Sequence, residues 1–195
     1  MTIADEDRRG TAALPPTERR LDASLGLDEL DAEGVLRLLH DADREAVAAA
    51  GDAIPRLAAL VDAAVRAMRA GGAVHYFGAG TSGRLGVLDA VELVPTFQLE
   101  PGRVVPHIAG GERALTQALE DGEDDEASGA AAAAALGPDD VAIGLTASGT
   151  TPYVAGALRA ARERGAVTAL VSSNPDAPLA ALADHVLALD TGPEV

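Results

Sequence analysis

The chain has no cysteine and no tryptophan, and its aromatic residues are two phenylalanines and two tyrosines. The first absence excludes disulfides, thiolate nucleophiles and thiolate metal sites. The scarcity of aromatics leaves few stacking platforms and counts against single-stranded nucleic acid as a partner. Basic residues are also few, 15 against 31 acids, for a formal net charge of −16. Nucleic acid and anionic membranes would both be repelled, whereas a small anion can still sit on local backbone amides, because salt screens distant charge over about 8 to 10 Å. No apolar run is long enough to span a bilayer, and the N-terminal MTIADEDRRG lacks an apolar segment behind its charges, so a soluble cytoplasmic protein is expected. At 195 residues the chain can bury a real core, as one domain with a helical appendage.

What the sequence does have is Ala73 to Phe97, AVHYFGAGTSGRLGVLDAVELVPTF, which reads as strand, tight turn and helix. Ala73 to Phe77 is the strand, Gly78, Gly80 and Gly83 form the turn, and a helix starts around Thr81 and Ser82 and runs to about Val91. The first amides of a helix lack intrahelical partners and carry partial positive charge, so Gly80, Thr81 and Ser82 offer a phosphate cradle. The same letters also fit the dinucleotide fingerprint G-x-G-x-x-G. That motif needs an acid at the tip of the next strand, and Val104 to Ile108 is followed by Ala109-Gly110-Gly111 instead. A phosphosugar site, a nucleotide site and a merely structural glycine turn all stay open on spacing alone.

Along the rest of the chain, residues 1 to 16 show no apolar periodicity and predict a mobile arm. Leu27 to Leu39 is spaced as one or two amphipathic helices capped by Asp28 or Asp31, and Ala46 to Ala70 is a longer helical stretch with a break at Gly51 to Pro55. Strands are predicted at Val104 to Ile108, Asp140 to Leu145, Val167 to Ser172 and His185 to Leu189. Helices are predicted at Glu112 to Leu119, Ala127 to Leu136, Tyr153 to Arg164 and Pro178 to Ala183. The alternation predicts an α/β fold, a three-layer α/β/α sandwich on a five-stranded parallel sheet, preceded by N-terminal helices. Ligands of such sheets sit at the carboxyl ends of the strands, which selects the loops 78–83, 146–151 and 172–174.

The second of these loops, Thr146-Ala147-Ser148-Gly149-Thr150-Thr151, places four hydroxyls around a glycine, with Pro152 ready for a first helical turn. It is a second candidate anion cradle, though Ser and Thr also cap helices without touching a ligand. The acids Glu92, near a helix end, and Glu123, in the run Glu120 to Glu126, read by themselves as solvated surface. His75, Tyr76, His107 and His185 fall within strands and read as packing residues, and His40 as a helix-face residue. The four histidines have no metal-ligand spacing, and no metal is expected.

Several motifs together resemble the N-acetylmuramic acid 6-phosphate etherases of the sugar-isomerase (SIS) domain superfamily. They are Gly78 to Gly86, Leu88-Asp89-Ala90-Val91-Glu92, Ile108-Ala109-Gly110-Gly111-Glu112, Ala147-Ser148-Gly149, Thr151-Pro152-Tyr153 and Asn174-Pro175. Thr17-Glu18-Arg19 and Gly192-Pro193-Glu194-Val195 extend the likeness to nearly the whole chain after the arm. The resemblance implies cleavage of the D-lactyl ether of a phosphosugar by elimination and water addition, without metal or organic cofactor. It implies that Glu92 is the acid, with Glu123 the second carboxylate. It also implies phosphate on Ser148, Gly149, Thr150 and Thr151, sugar beside Gly80, Thr81 and Ser82, and a homodimer with no nucleic acid or membrane partner. The domain division expected is an arm over 1–16, a helical segment over 17–72 and an SIS domain over 73–195, with the C-terminal part of the family missing. Two local departures stand out: Thr150 where the family usually has Arg, and Leu93-Val94-Pro95 where it commonly has Cys-Pro-Pro. The alternatives of another kind are a non-catalytic phosphosugar-binding or regulatory module and an aldose–ketose isomerase.

Overall fold

The computed structural model describes residues 15–119 and 122–195. The arm expected over 1–16 lies outside the described residues except for Pro15 and Pro16, and so do Glu120 and Asp121 of the acidic run. Two helices come first, α1 (Ala32–Asp52) and α2 (Ile54–Ala70). Asp31 rather than Asp28 caps α1, its carboxylate accepting from the Gly34 amide at 2.8 Å. The expected break falls at Ala53, and Gly71, with φ of 98°, closes α2.

The sheet contains β1 (Val74–Gly78), β2 (Val104–Ile108), β3 (Val141–Leu145), β4 (Val167–Ser172) and β5 (His185–Ala188). All four pairings are parallel, in the order β2-β1-β3-β4-β5. Successive side chains alternate between faces. Val74, Val141, Ile143, Ala169 and Leu187 pack with Leu60 and Ala67 of α2 on one face, where α3 (Gly80–Phe97) also lies. Phe77, Ala142 and Leu170 pack on the other face under α5 (Pro152–Glu163), whose Val154, Ala157, Leu158 and Ala161 are fully buried. The three-layer α/β/α architecture expected from the sequence is present. The short α4 (Glu126–Ala132) packs on α5 rather than directly on the sheet. The two helices touch through glycine: a Cβ on Gly156 would stand 2.0 Å from the carbonyl oxygen of Glu126.

Several elements differ from the sequence reading, among them the helix expected over Pro178 to Ala183, which is a 3-10 helix, Pro178–Leu182. Helix α3 runs on from Val91 to Phe97 with Pro95 inside it. Its last turn is mostly exposed, so the carbonyl that the proline leaves without a partner is open to solvent. Helix α4 ends at Ala132 instead of Leu136, the chain tightening through Ala134 N–H to the Ala131 carbonyl. The helix expected over Glu112 to Leu119 is a 3-10 turn, Gly111–Leu115. Here Arg84, from α3, donates to the carbonyls of Ala114 and Gln117 at 2.9 and 3.0 Å. In an α-helix the Ala114 carbonyl would accept from the chain itself. A tertiary contact has replaced a local one.

Candidate functional site

In sequence order the strands step from β1 outward to β2, then cross to β3 on the other side of β1 and continue to β5. The reversal leaves a crevice at the carboxyl ends of β1 and β3, where ligands of open α/β sheets bind. A cavity of about 410 Å³ lies there, lined by Ala79 and Ser82 after β1, by residues 145–148 and 150–152 after β3, and by Glu123 and Asp124 from the β2–β3 crossover.

The first wall is the start of α3. Ala79 is its N-cap and makes no side-chain cap bond, so the leading amides of the helix are not taken by a capping side chain. Gly83 lets the helix start so close to the strand: a Cβ there would be 2.7 Å from both the Gly78 carbonyl oxygen and the Ile108 side chain. The second wall is the hydroxyl loop before α5. Thr146 Oγ1 and Thr151 Oγ1 are 2.8 Å apart, the Gly149 amide donates to Thr146 Oγ1 at 3.2 Å, and Ser148 Oγ lies 2.8 Å from Thr150 Oγ1. Gly149 takes a positive φ of 74° to make this turn. The third loop selected from the sequence, 172–174, buttresses the second. Ser172 donates to the Ala147 carbonyl at 3.0 Å, and the Asn174 side-chain amide donates to the Ser148 carbonyl at 2.8 Å.

Of the residues expected from the sequence, Ser82, Ser148, Thr150, Thr151 and Glu123 line this one cavity. Gly80, Thr81 and Gly149 belong to the same two loops without lining it. Glu123 is held by its backbone, its carbonyl accepting from the Tyr153 amide at 2.9 Å, which ties the crossover to the first turn of α5. Glu92 is not brought to the cavity. It lies ten residues beyond Ser82 on α3, about 15 Å at the helical rise, and is exposed beside Leu88 and Val91.

Sequence reasoning missed Pro15, Glu18 and Asp124 as lining residues. Glu18 arrives because the N-terminal segment folds back and pairs with the C-terminal one, with the Leu21 amide donating to the Glu194 carbonyl at 3.2 Å. No periodicity encodes such a pairing, though Thr17-Glu18-Arg19 was among the motifs carrying the resemblance. No lysine occurs in the chain and, among the described residues, no arginine lines the cavity, which leaves hydroxyls and amides as the donors of its described lining. Among the described residues no cluster of His, Asp and Glu has the arrangement of a metal site, and no helix is long and apolar enough to cross a membrane.

This fold, with hydroxyl loops at its switch point, matches phosphoheptose isomerases of known structure. The enzyme from Francisella tularensis superposes with a TM-score of 0.66 at 19% identity, over 82% of this chain and 85% of that one. The phosphoheptose isomerase GmhA from Neisseria gonorrhoeae gives 0.63 at 19% identity, over 80% and 84%. These likenesses establish the fold. Residues 56–162 match the family described as the glucokinase regulatory protein N-terminal SIS domain, and the chain belongs to that family.

Within it, the similar curated proteins are N-acetylmuramic acid 6-phosphate etherases, as the sequence motifs indicated. The one from Deinococcus radiodurans is 53% identical over 171 residues, 87% of this chain and 56% of that protein. The Thermobifida fusca protein is 51% identical over 180 residues, 92% of this chain and 59% of that protein. The chain thus spans between half and two thirds of the length of these relatives.

Proposed function

We propose that this chain carries the phosphosugar site of an N-acetylmuramic acid 6-phosphate etherase, releasing D-lactate and N-acetylglucosamine 6-phosphate during cell-wall recycling in the cytoplasm. The observation that carries the reading is the meeting of Glu123 with Ser82, Ser148, Thr150 and Thr151 in one cavity at the switch point. The etherase relatives supply the substrate class.

The phosphate rests on the hydroxyls of Ser148 and Thr151 and on the amides of their loop, as a phosphate does at a helix N-terminus. Thr81 and Ser82 border the sugar. With C1 as the open-chain aldehyde, the C2 proton is acidic; one carboxylate, assigned to Glu123, removes it. The C3–O bond then breaks, its electrons leaving with the lactyl oxygen, which takes a proton from the second carboxylate, Glu92, as the C2=C3 double bond forms. Water adds its oxygen at C3 and a proton returns to C2. Each carboxyl reverses its role in the second half, so the pair ends as it began.

Glu92 cannot act in the cavity of its own chain at a distance of about 15 Å along α3. A second copy supplies it. Leu85, Leu88 and Val91 around it are each more than half exposed, an apolar stripe suited to a two-fold contact between α3 helices.

The test is D-lactate release by the purified chain, with Glu92→Gln and Glu123→Gln each inactive. Mixing the two inactive variants in equal amounts regenerates one intact site in each mixed dimer, giving about one quarter of the original activity by random pairing. No recovery on mixing would sink the shared site, and unchanged release by Glu123→Gln would sink the assigned chemistry. The separation of Glu92 from the cavity also favours a second reading, a non-catalytic phosphosugar-binding module. Saturable binding of the sugar without lactate release would select it.

A further inference from the structure

A second cavity, of about 640 Å³, opens beside the edge strand β2 and shares no lining residue with the first. It exists because the segment after β2 forms only a 3-10 turn and α4 packs on α5, so no long helix covers His107. Three groups that line it play no part in the first cavity: Tyr153, His107 and Glu112.

Tyr153 is 3% exposed, and its phenol makes no hydrogen bond among the described residues. Burial alone pushes that phenol up to about 12, so it is a neutral hydroxyl with free lone pairs. The hydroxyl is not sealed in the core: it stays accessible to solvent in a residue that lines the cavity, where a ligand can reach it.

His107 ends a half-buried chain. The Asp140 carboxylate, fixed by the amides of Ala73 and Gly137 at 2.8 Å each, lies 4.0 Å from His75 Nε2. Its charge favours the proton on that nitrogen, which makes His75 Nδ1 the acceptor of the 3.0 Å contact with His107 Nε2. His107 Nδ1 is then left with its lone pair. Burial, and then the neighbouring His75, lower the His107 ring to about 4, so it stays neutral and stays an acceptor at neutral pH. Glu112, the third group, is exposed and has no ion-pair partner among the described residues.

Among the described residues the wall offers a phenol oxygen, an imidazole nitrogen, a carboxylate and the Ser128 hydroxyl, and no cation. Val87, Leu115 and Ala131 add apolar surface. We propose that this cavity is a second ligand site and that it takes a small primary amine, its ammonium donating to Tyr153, His107 and Glu112 while its apolar body lies against α3 and α4. A phosphate or carboxylate ligand would meet no cation among the described lining residues, and would face the Glu112 carboxylate and the negative field of the chain.

The probe is benzylamine, titrated into the full 15N-labelled chain and followed by amide chemical shifts, with benzoate as a body of the same size and opposite charge. Benzylamine should give saturable shifts at Leu115, Ala131 and Tyr153, and benzoate none there. Glu112→Gln and Tyr153→Phe should each weaken benzylamine about threefold to tenfold. Neither substitution endangers the fold, since Glu112 is exposed and the Tyr153 hydroxyl has no partner to lose. Equal binding of benzoate, absence of saturable shifts with benzylamine, or an affinity indifferent to both substitutions would overturn the proposal.

Discussion

Acid should destabilise this protein through His107. The ring lies flat on Phe77, with centroids 4.5 Å apart, and touches His75 at 3.0 Å, so a proton added there would be desolvated and would face a second imidazole. Its value is 6.5 when unfolded and about 4 when folded. The unfolded chain therefore takes up a proton that the folded chain refuses. Stability is lost as the pH falls below 6.5, and the loss continues until the folded ring itself titrates. Linkage gives about 2 kcal/mol between about pH 7 and about pH 5; the ring is only partly buried, and solvent screening reduces this to about 1 kcal/mol. His75, also lowered by burial though opposed by Asp140, adds in the same direction. In urea the unfolding midpoint should drop by about 0.5 M over that interval, at an m-value of about 2 kcal/mol/M. His107→Gln, which keeps a donor for His75, should flatten that part of the curve. A wild-type midpoint that holds constant or rises on acidification, or an unchanged slope in His107→Gln, would refute the reasoning.

Gly156→Ala drives a methyl to within 2.0 Å of the Glu126 carbonyl oxygen. It should cost about 2 to 3 kcal/mol in urea unfolding as α4 is pushed off α5, and a loss near zero would mean the two helices are not held this closely. Thr146→Val removes the hydroxyl that meets both Thr151 Oγ1 and the Gly149 amide in a residue 5% exposed. It should lose about 1 to 2 kcal/mol of stability and weaken inorganic phosphate in a thermal-shift titration, whereas unchanged phosphate binding would place the anion elsewhere. Leu88→Glu puts a charge in the exposed stripe of α3; sedimentation should show monomers and lactate release should vanish. A dimer that survives Leu88→Glu would move the contact to another face.

Both hydroxyl loops and the parallel sheet were legible because the information is local. Strand, glycine turn and helix follow one another within residues 73–97 and again around 141–163, so each cradle is built by neighbours in the chain. The choice of cap, narrowed to Asp28 or Asp31, and the break within residues 51–55 were readable for the same reason. Whether Glu123 shares a site with Ser148 while Glu92 does not was beyond the sequence, because it depends on which way α3 runs from the crevice and where the crossover returns. The 3-10 turn after β2 was equally hidden: Arg84, some thirty residues away, takes the carbonyls on which a helix would have relied. Composition, periodicity and turn chemistry thus determined most of the elements, their alternation and the two hydroxyl loops. Only the tertiary structure decided which carboxylates face which cavity, since that follows from the strand order at the switch point and from contacts between residues far apart in the chain.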